Sequence, residues 1–149
     1  MALTLVPASI PEEALRRLRD LAVETCGSQT SQRAFGATYG AAVLTASGAT
    51  YCGRNCFSSS LSGSVHAEQA ALIHAYAHDD MEVWAIAIAS GDDSCEPVPC
   101  SLCRQLLFEN GRHTGIDIFV QTVSGASFAS YPLSVLYPRP WPECPPRHG

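Results

Sequence analysis

His66-Ala67-Glu68 and, 34 residues later, Pro99-Cys100-Ser101-Leu102-Cys103 constrain this chain more than any other feature. They supply one imidazole and two thiols as metal ligands, and a carboxylate that is not needed as one. Three protein ligands leave one tetrahedral position open to water, the layout of a catalytic zinc rather than a structural one. Any fold of the chain must then bring His66, Cys100 and Cys103 to one point, with Glu68 beside it. Each half alone has ordinary readings: H-x-E occurs by chance, and C-x-x-C also serves redox sites and zinc knuckles. The two halves together, with proline before the first cysteine and a helical pattern after each, carry the zinc reading.

The run Ala67 to His78 is rich in Ala, with Leu72 and Ile73, and predicts a helix starting near Val65 with Ser62 or Ser64 as its cap. Cys100 and Cys103 share one face of a second helix beginning near Pro99 and stopping at Gly111. Two helix N-termini then aim at one point, where their dipoles favour thiolates. Glu68 lies about 200° around the helix from His66, so it reaches the water above the metal rather than the metal itself. Zinc makes hydroxide available near neutral pH. A carboxylate placed beside such a water can carry protons.

The segment from Gly40 to Gln105 resembles the cytidine deaminase family. The resemblance rests on Gly40-Ala41-Ala42-Val43-Leu44-Thr45 through Gly53-Arg54-Asn55, His66-Ala67-Glu68-Gln69, and Pro99-Cys100 to Cys103-Arg104-Gln105. It implies a three-layer α/β/α sandwich with a mixed five-stranded sheet, a zinc cofactor, an oligomer, and hydrolysis of cytidine or deoxycytidine to the uracil nucleoside. By position, His66, Cys100 and Cys103 are the implied zinc ligands and Glu68 the proton shuttle. The Ala67 backbone is implied to hold the base carbonyl, and Asn55 to contact a sugar hydroxyl.

Two departures accompany the match. Where the family has a sugar-binding Glu two residues after the Asn, this chain has Phe57, and an expected aromatic is replaced by Ala37. A carboxylate on sugar hydroxyls is worth about 2–3 kcal/mol of discrimination. Phe57 either packs against an altered sugar or fills core space. A nucleoside with a modified sugar, as for the blasticidin S deaminases, is therefore the alternative substrate. A zinc module without catalysis is a third reading, against which Glu68 argues. The second departure is His66 followed by Gln69, which resembles the longer, dimeric branch. A neutral imidazole with two thiolates cancels the dication, so no compensating Arg is required.

The remaining chain fits a small cytosolic enzyme. Its 149 residues, 46% hydrophobic and 15% charged, predict one domain with a fair core. The net charge of −5, with no basic cluster, disfavours a nucleic-acid partner. The longest apolar run, Val83 to Ala89, is too short for a membrane span, and no signal peptide is evident. Five cysteines lie outside the motif, an odd number that favours reduced thiols in the cytoplasm, with Cys52 and Cys56 as packing residues. His74 and His78 are expected to cap a helix C-terminus. Helical spacing predicts a helix from Pro11 to about Thr25; strands are predicted at Tyr39–Thr45, Thr50–Cys56, Val83–Ala89, Ile116–Gln121 and Ser127–Ala129. A helical turn is expected at Leu133–Leu136, and the order predicts a mixed sheet with helices on its faces. The Pro-rich tail, residues 138–149, is either disordered or a lid in which Trp141 covers a site of its own or a neighbouring subunit. Pocket walls shared between subunits, which the family resemblance implies, point to a homotetramer first and a dimer second.

Overall fold

A computed structural model describes residues 4–5, 9–27, 38–92 and 94–141. The main sheet has five strands in the order β3-β2-β4-β6-β7. These are β2 (Tyr39–Thr45), β3 (Thr50–Arg54), β4 (Val83–Ser90), β6 (Phe119–Ser124) and β7 (Ser127–Pro132). The pairs β2–β3, β2–β4 and β6–β7 are antiparallel and β4–β6 is parallel, so the sheet is mixed as expected. The parallel pair requires a crossover, which α3 (Ser101–Thr114) provides. A two-stranded parallel ladder joins β1 (Thr4–Leu5) to β5 (Ile116–Asp117).

Alternation along the central strands sorts the core into two layers. Ala42, Leu44, Ala85, Ala87 and Ala89 face α1 (Glu12–Cys26), whose Leu15, Leu18, Ala22 and Cys26 recur at helical spacing. Small residues on this face give the helix a shallow bed, filled mainly by leucines. On the other face Val43, Ile86 and Ile88 pack under α2 (Ala67–Tyr76) and α3, with Leu72 and Leu107. Burying each such side chain contributes about 1.5–3 kcal/mol. Helices on both sides of a mixed five-stranded sheet match the expected α/β/α class.

Gly53 of β3 sets the height of α2 above the sheet. A Cβ there would run into the Ala71 amide nitrogen and the Ala67 carbonyl, both backbone atoms of α2. Gly111, expected as the stop of the second helix, is instead inside α3, which continues to Thr114 and ends on Gly115 at φ 79°. Its bare Cα is needed where the Ile116 carbonyl approaches, so the glycine marks close packing rather than termination.

The strand expected at Ile116–Gln121 is two short strands, because Ile118 turns fully into the core between them. The strand expected at Thr50–Cys56 stops at Arg54. Cys56 is exposed, so it is not a packing residue, whereas Cys52 does pack against the α1 layer. The helix expected near Pro11 begins at Glu12, with Pro11 as its cap, and the turn Leu133–Leu136 is α4. His78 bonds back to the His74 carbonyl as a helix-end cap, while His74 reaches across to the Cys52 carbonyl. Among the described residues, no helix is long and apolar enough to cross a membrane. Ala37 and residues 142–149 lie outside the described residues.

Candidate metal centre

His66 occupies the N-cap of α2 in extended conformation, φ −79° and ψ 154°. Its backbone N–H donates to Gln69 Oε1 at 2.8 Å, and the Ala70 N–H donates to its carbonyl at 3.0 Å. The expected serine cap is thus replaced by the ligand residue itself. Gln69, whose position the sequence left open, locks that residue's backbone. Upstream, Val65 and Cys56 form an antiparallel bridge with N–H···O distances of 2.8 and 2.9 Å. The bridge ties the end of β3, and with it Asn55 and Phe57, to the start of α2.

Cys100 caps α3 in extended conformation, and Cys103 is the third residue of that helix. Pro99 therefore precedes the cap rather than opening the helix. The Cys100 and Cys103 sulfurs lie 3.2 and 3.3 Å from His66 Nδ1. All three ligand atoms lie within 4.8 Å of one another, the only such group of three among the described residues. Tetrahedral ligation with Zn–N near 2.0 Å and Zn–S near 2.3 Å separates nitrogen from sulfur by about 3.5 Å. The donor set and its spacing therefore fit a tetrahedral metal ion, ligated through Nδ1 with the imidazole proton on Nε2.

Cys103 is fully buried, and burial, followed by the nearby Glu68 and Cys100, pushes its thiol well up. The helix N-terminus does not outweigh that burial, so the expected thiolate requires a cation to displace the proton. Arg104, next in sequence, turns away from the sulfurs. Its Nε donates to the Pro99 carbonyl at 2.7 Å and its Nη1 to the Leu136 carbonyl at 2.8 Å, clamping α4 against the loop before α3.

Glu68 is 7% exposed. Burial raises its carboxyl above the usual range, while its own backbone N–H, His66 and a hydrogen bond with Cys103 pull the other way. It lines a cavity of about 370 Å³ together with Asn55, Phe57, His66, Ala67 and Cys100. All candidate site residues except Cys103 thus share one cavity, and Cys103 lies behind it within contact of His66. Asn55 Oδ1 accepts the Tyr39 N–H at 2.8 Å, which fixes the side chain against β2. Phe57 is at the cavity rather than in the core. Trp141 is 74% exposed and is not among the lining residues; its carbonyl accepts from Gln105 Nε2. A larger cavity, about 960 Å³, lies past the C-terminal end of α2 and contains no member of the metal cluster.

The loop between β4 and α3 also contributes Glu96 to the site cavity. Sequence reasoning gave it no role, and a lone Glu in a loop carries no signal that would have singled it out.

No protein-family model matches the chain, and no curated protein matches it either. Solved structures do. The cytidine deaminase of Burkholderia pseudomallei superposes with a TM-score of 0.71 at 22% identity, over 85% of this chain and 98% of that one. The Mycobacterium tuberculosis cytidine deaminase gives 0.67 at 23% identity, over 85% and 96%. The Bacillus anthracis cytidine deaminase gives 0.58 at 18% identity, over 86% and 89%. With helices on both faces of a mixed five-stranded sheet, this chain has the fold of the cytidine deaminases.

Proposed function

We propose that this protein is a zinc-dependent hydrolytic deaminase of free cytosine nucleosides, releasing the uracil nucleoside and ammonia. The observation that carries the reading is the convergence of His66, Cys100 and Cys103 beside the buried Glu68 at one cavity of a cytidine deaminase fold. His66 Nδ1 and the two sulfurs would hold zinc, which when bound supplies a Lewis acid that makes hydroxide available near neutral pH. Glu68 takes a proton from the attacking water and gives it to ring N3 as oxygen adds to C4. It then passes the oxygen's proton to the C4 amine, the C–N bond breaks and ammonia leaves. A carboxyl with a raised pKa suits both halves of that cycle. Ala67, first residue of α2 and fully buried at the cavity, offers a helix N-terminal N–H to the base carbonyl. Asn55 is the sugar contact. The same reading takes the chain as one domain of a homotetramer in the reducing cytoplasm, where Cys100 and Cys103 stay available to the metal.

A sugar-modified nucleoside is the second reading, favoured by Phe57 at the cavity where a carboxylate would grip sugar hydroxyls. Metal analysis of the purified protein, with ultraviolet assay of cytidine, deoxycytidine and sugar-altered analogues, tests both. Stoichiometric zinc and turnover of cytidine support the first. A specificity constant highest for a sugar-altered analogue selects the second. Absence of both zinc and turnover defeats the two together, and light scattering reports the subunit count.

A further inference from the structure

We infer that Glu96 is a specificity residue of the nucleoside pocket, accepting a hydrogen bond from a donor at the 2′ or 3′ position of the sugar; the inference rests on the deaminase reading above. Glu96 stands in the loop between β4 and α3, four residues before Cys100, and lines the same cavity as Asn55, Phe57 and Glu68. Its carboxylate is held from outside the loop. Oε1 accepts the Thr122 hydroxyl of β6 at 2.6 Å and the Tyr131 hydroxyl of β7 at 2.8 Å. The Val98 N–H donates to its backbone carbonyl at 2.9 Å, tightening the loop on the far side.

Both anchoring hydroxyls go to one oxygen. Among the described residues Oε2 receives no hydrogen bond, and no Lys, Arg or His pairs with the charge. The same two hydroxyls hold the carboxyl below the usual glutamate range, so the group is an anion at neutral pH. The cavity wall thus includes an exposed but anchored carboxylate, with one oxygen committed to the protein and the other without a hydrogen bond among the described residues.

The opposite change at Phe57 gives that oxygen a purpose. The residue after Cys56 offers an aromatic ring and no acceptor, so a nucleoside sugar entering the cavity would lose hydrogen bonds to water. Glu96 restores an acceptor from a different element, with charge-assisted strength. A sugar hydroxyl and an amine in its place are both donors of the kind this oxygen takes, and substrates distinguish them. Holding the loop is the other service the carboxylate could perform, but that uses Oε1 alone.

The test pairs two substitutions with a substrate series. Glu96→Gln keeps an acceptor for Thr122 and Tyr131 and removes the charge and the second acceptor; Tyr131→Phe weakens the loop anchor and leaves the carboxylate. Both are assayed in the zinc-loaded protein on cytidine, 2′-deoxycytidine, 2′,3′-dideoxycytidine and 3′-amino-2′,3′-dideoxycytidine. Glu96→Gln is expected to lower kcat/KM about tenfold or more where a 2′ or 3′ donor is present, mainly through KM, and less than twofold on the dideoxy compound, which keeps only the 5′-hydroxyl. A larger loss on the amino analogue than on cytidine identifies an ammonium as the preferred donor; a larger loss on cytidine identifies a hydroxyl. Tyr131→Phe is expected to change all four substrates alike. Equal loss across the series with Glu96→Gln would overturn the inference and leave Glu96 a loop anchor, with the deaminase reading intact. A wild-type protein inactive on every substrate would instead remove the deaminase reading, and this inference with it.

Discussion

At the N-terminal end of α2, Glu68 is nearly buried, and loss of water raises its carboxyl. Four residues past the other end of the same helix, Asp80 accepts three hydroxyls on Oδ2. These come from Thr45 at 2.7 Å, Ser47 at 2.7 Å and Tyr51 at 2.9 Å, and they hold Asp80 below the usual carboxylate range. One carboxylate has its own backbone N–H and Cys103 as donors, too little to offset burial, and lines a cavity beside the three candidate metal-ligand atoms; the other takes three hydroxyls and joins β2, β3 and the helix end. Burial raises proton affinity at the one carboxylate, and donated hydroxyls suppress it at the other, where they hold the chain together. The two cavities follow the same division. The larger one lies near Asp80 and holds no ligand cluster, while the smaller one is lined by His66, Glu68 and Cys100.

The contrast can be tested at four points. The largest effect is expected from Cys103→Ala, which leaves two ligands of three. Bound zinc should fall far below one per chain, activity should vanish, and chelation, expected to lower the melting temperature of the wild type, should leave that of the variant unchanged. Elemental analysis and thermal melts with and without chelator measure this. Glu68→Gln comes next. Turnover should drop about 10²–10⁴-fold with zinc content and fold unchanged, and retained ammonia release would break the assigned proton role.

Gly53→Ala acts on placement rather than chemistry. Its methyl must displace the backbone of α2, costing about 1–3 kcal/mol in denaturant unfolding. Activity per folded molecule should fall as well, because His66 and Glu68 move with that helix. The smallest effect is expected at the opposite end. Asp80→Asn should lower the melting temperature by about 2–5 °C at neutral pH and leave kcat alone. Because folding lowers the Asp80 pKa, its contribution is complete above the unfolded value near 4 and is lost as pH falls through the lower folded value. The gap between wild type and Asp80→Asn should therefore be widest at neutral pH and close in acid. A gap that widens in acid would reverse the assignment.

The candidate metal cluster was legible because each half of it is local. Cys100 and Cys103 share a helix turn wherever that helix is placed, and His66 with Glu68 fall in one first turn. The sheet was legible for a similar reason: alternation in β2 and β4 reads directly as two buried faces. Glycine roles were less so. Gly111 resembles a helix stop in sequence, and only the approach of the Ile116 carbonyl explains it. Cys103 divides the same way: its helix position reads from sequence, whereas its burial, which raises the thiol and leaves a metal to complete the deprotonation, depends on packing. Phe57 had two open readings, core or pocket, until the Cys56–Val65 bridge placed its segment beside the cavity.

By itself the sequence determined which atoms can bind a metal and which carboxylate stands near them, because ligand chemistry and helical spacing are properties of a few neighbouring residues. Only the tertiary structure decided what surrounds them. Glu96 acquires its fixed geometry from Thr122 and Tyr131, 26 and 35 residues further on, and Asn55 from Tyr39, 16 residues before it. Such contacts depend on sheet order and register, and no local pattern encodes which distant hydroxyl or amide will arrive at a given carboxylate or carboxamide.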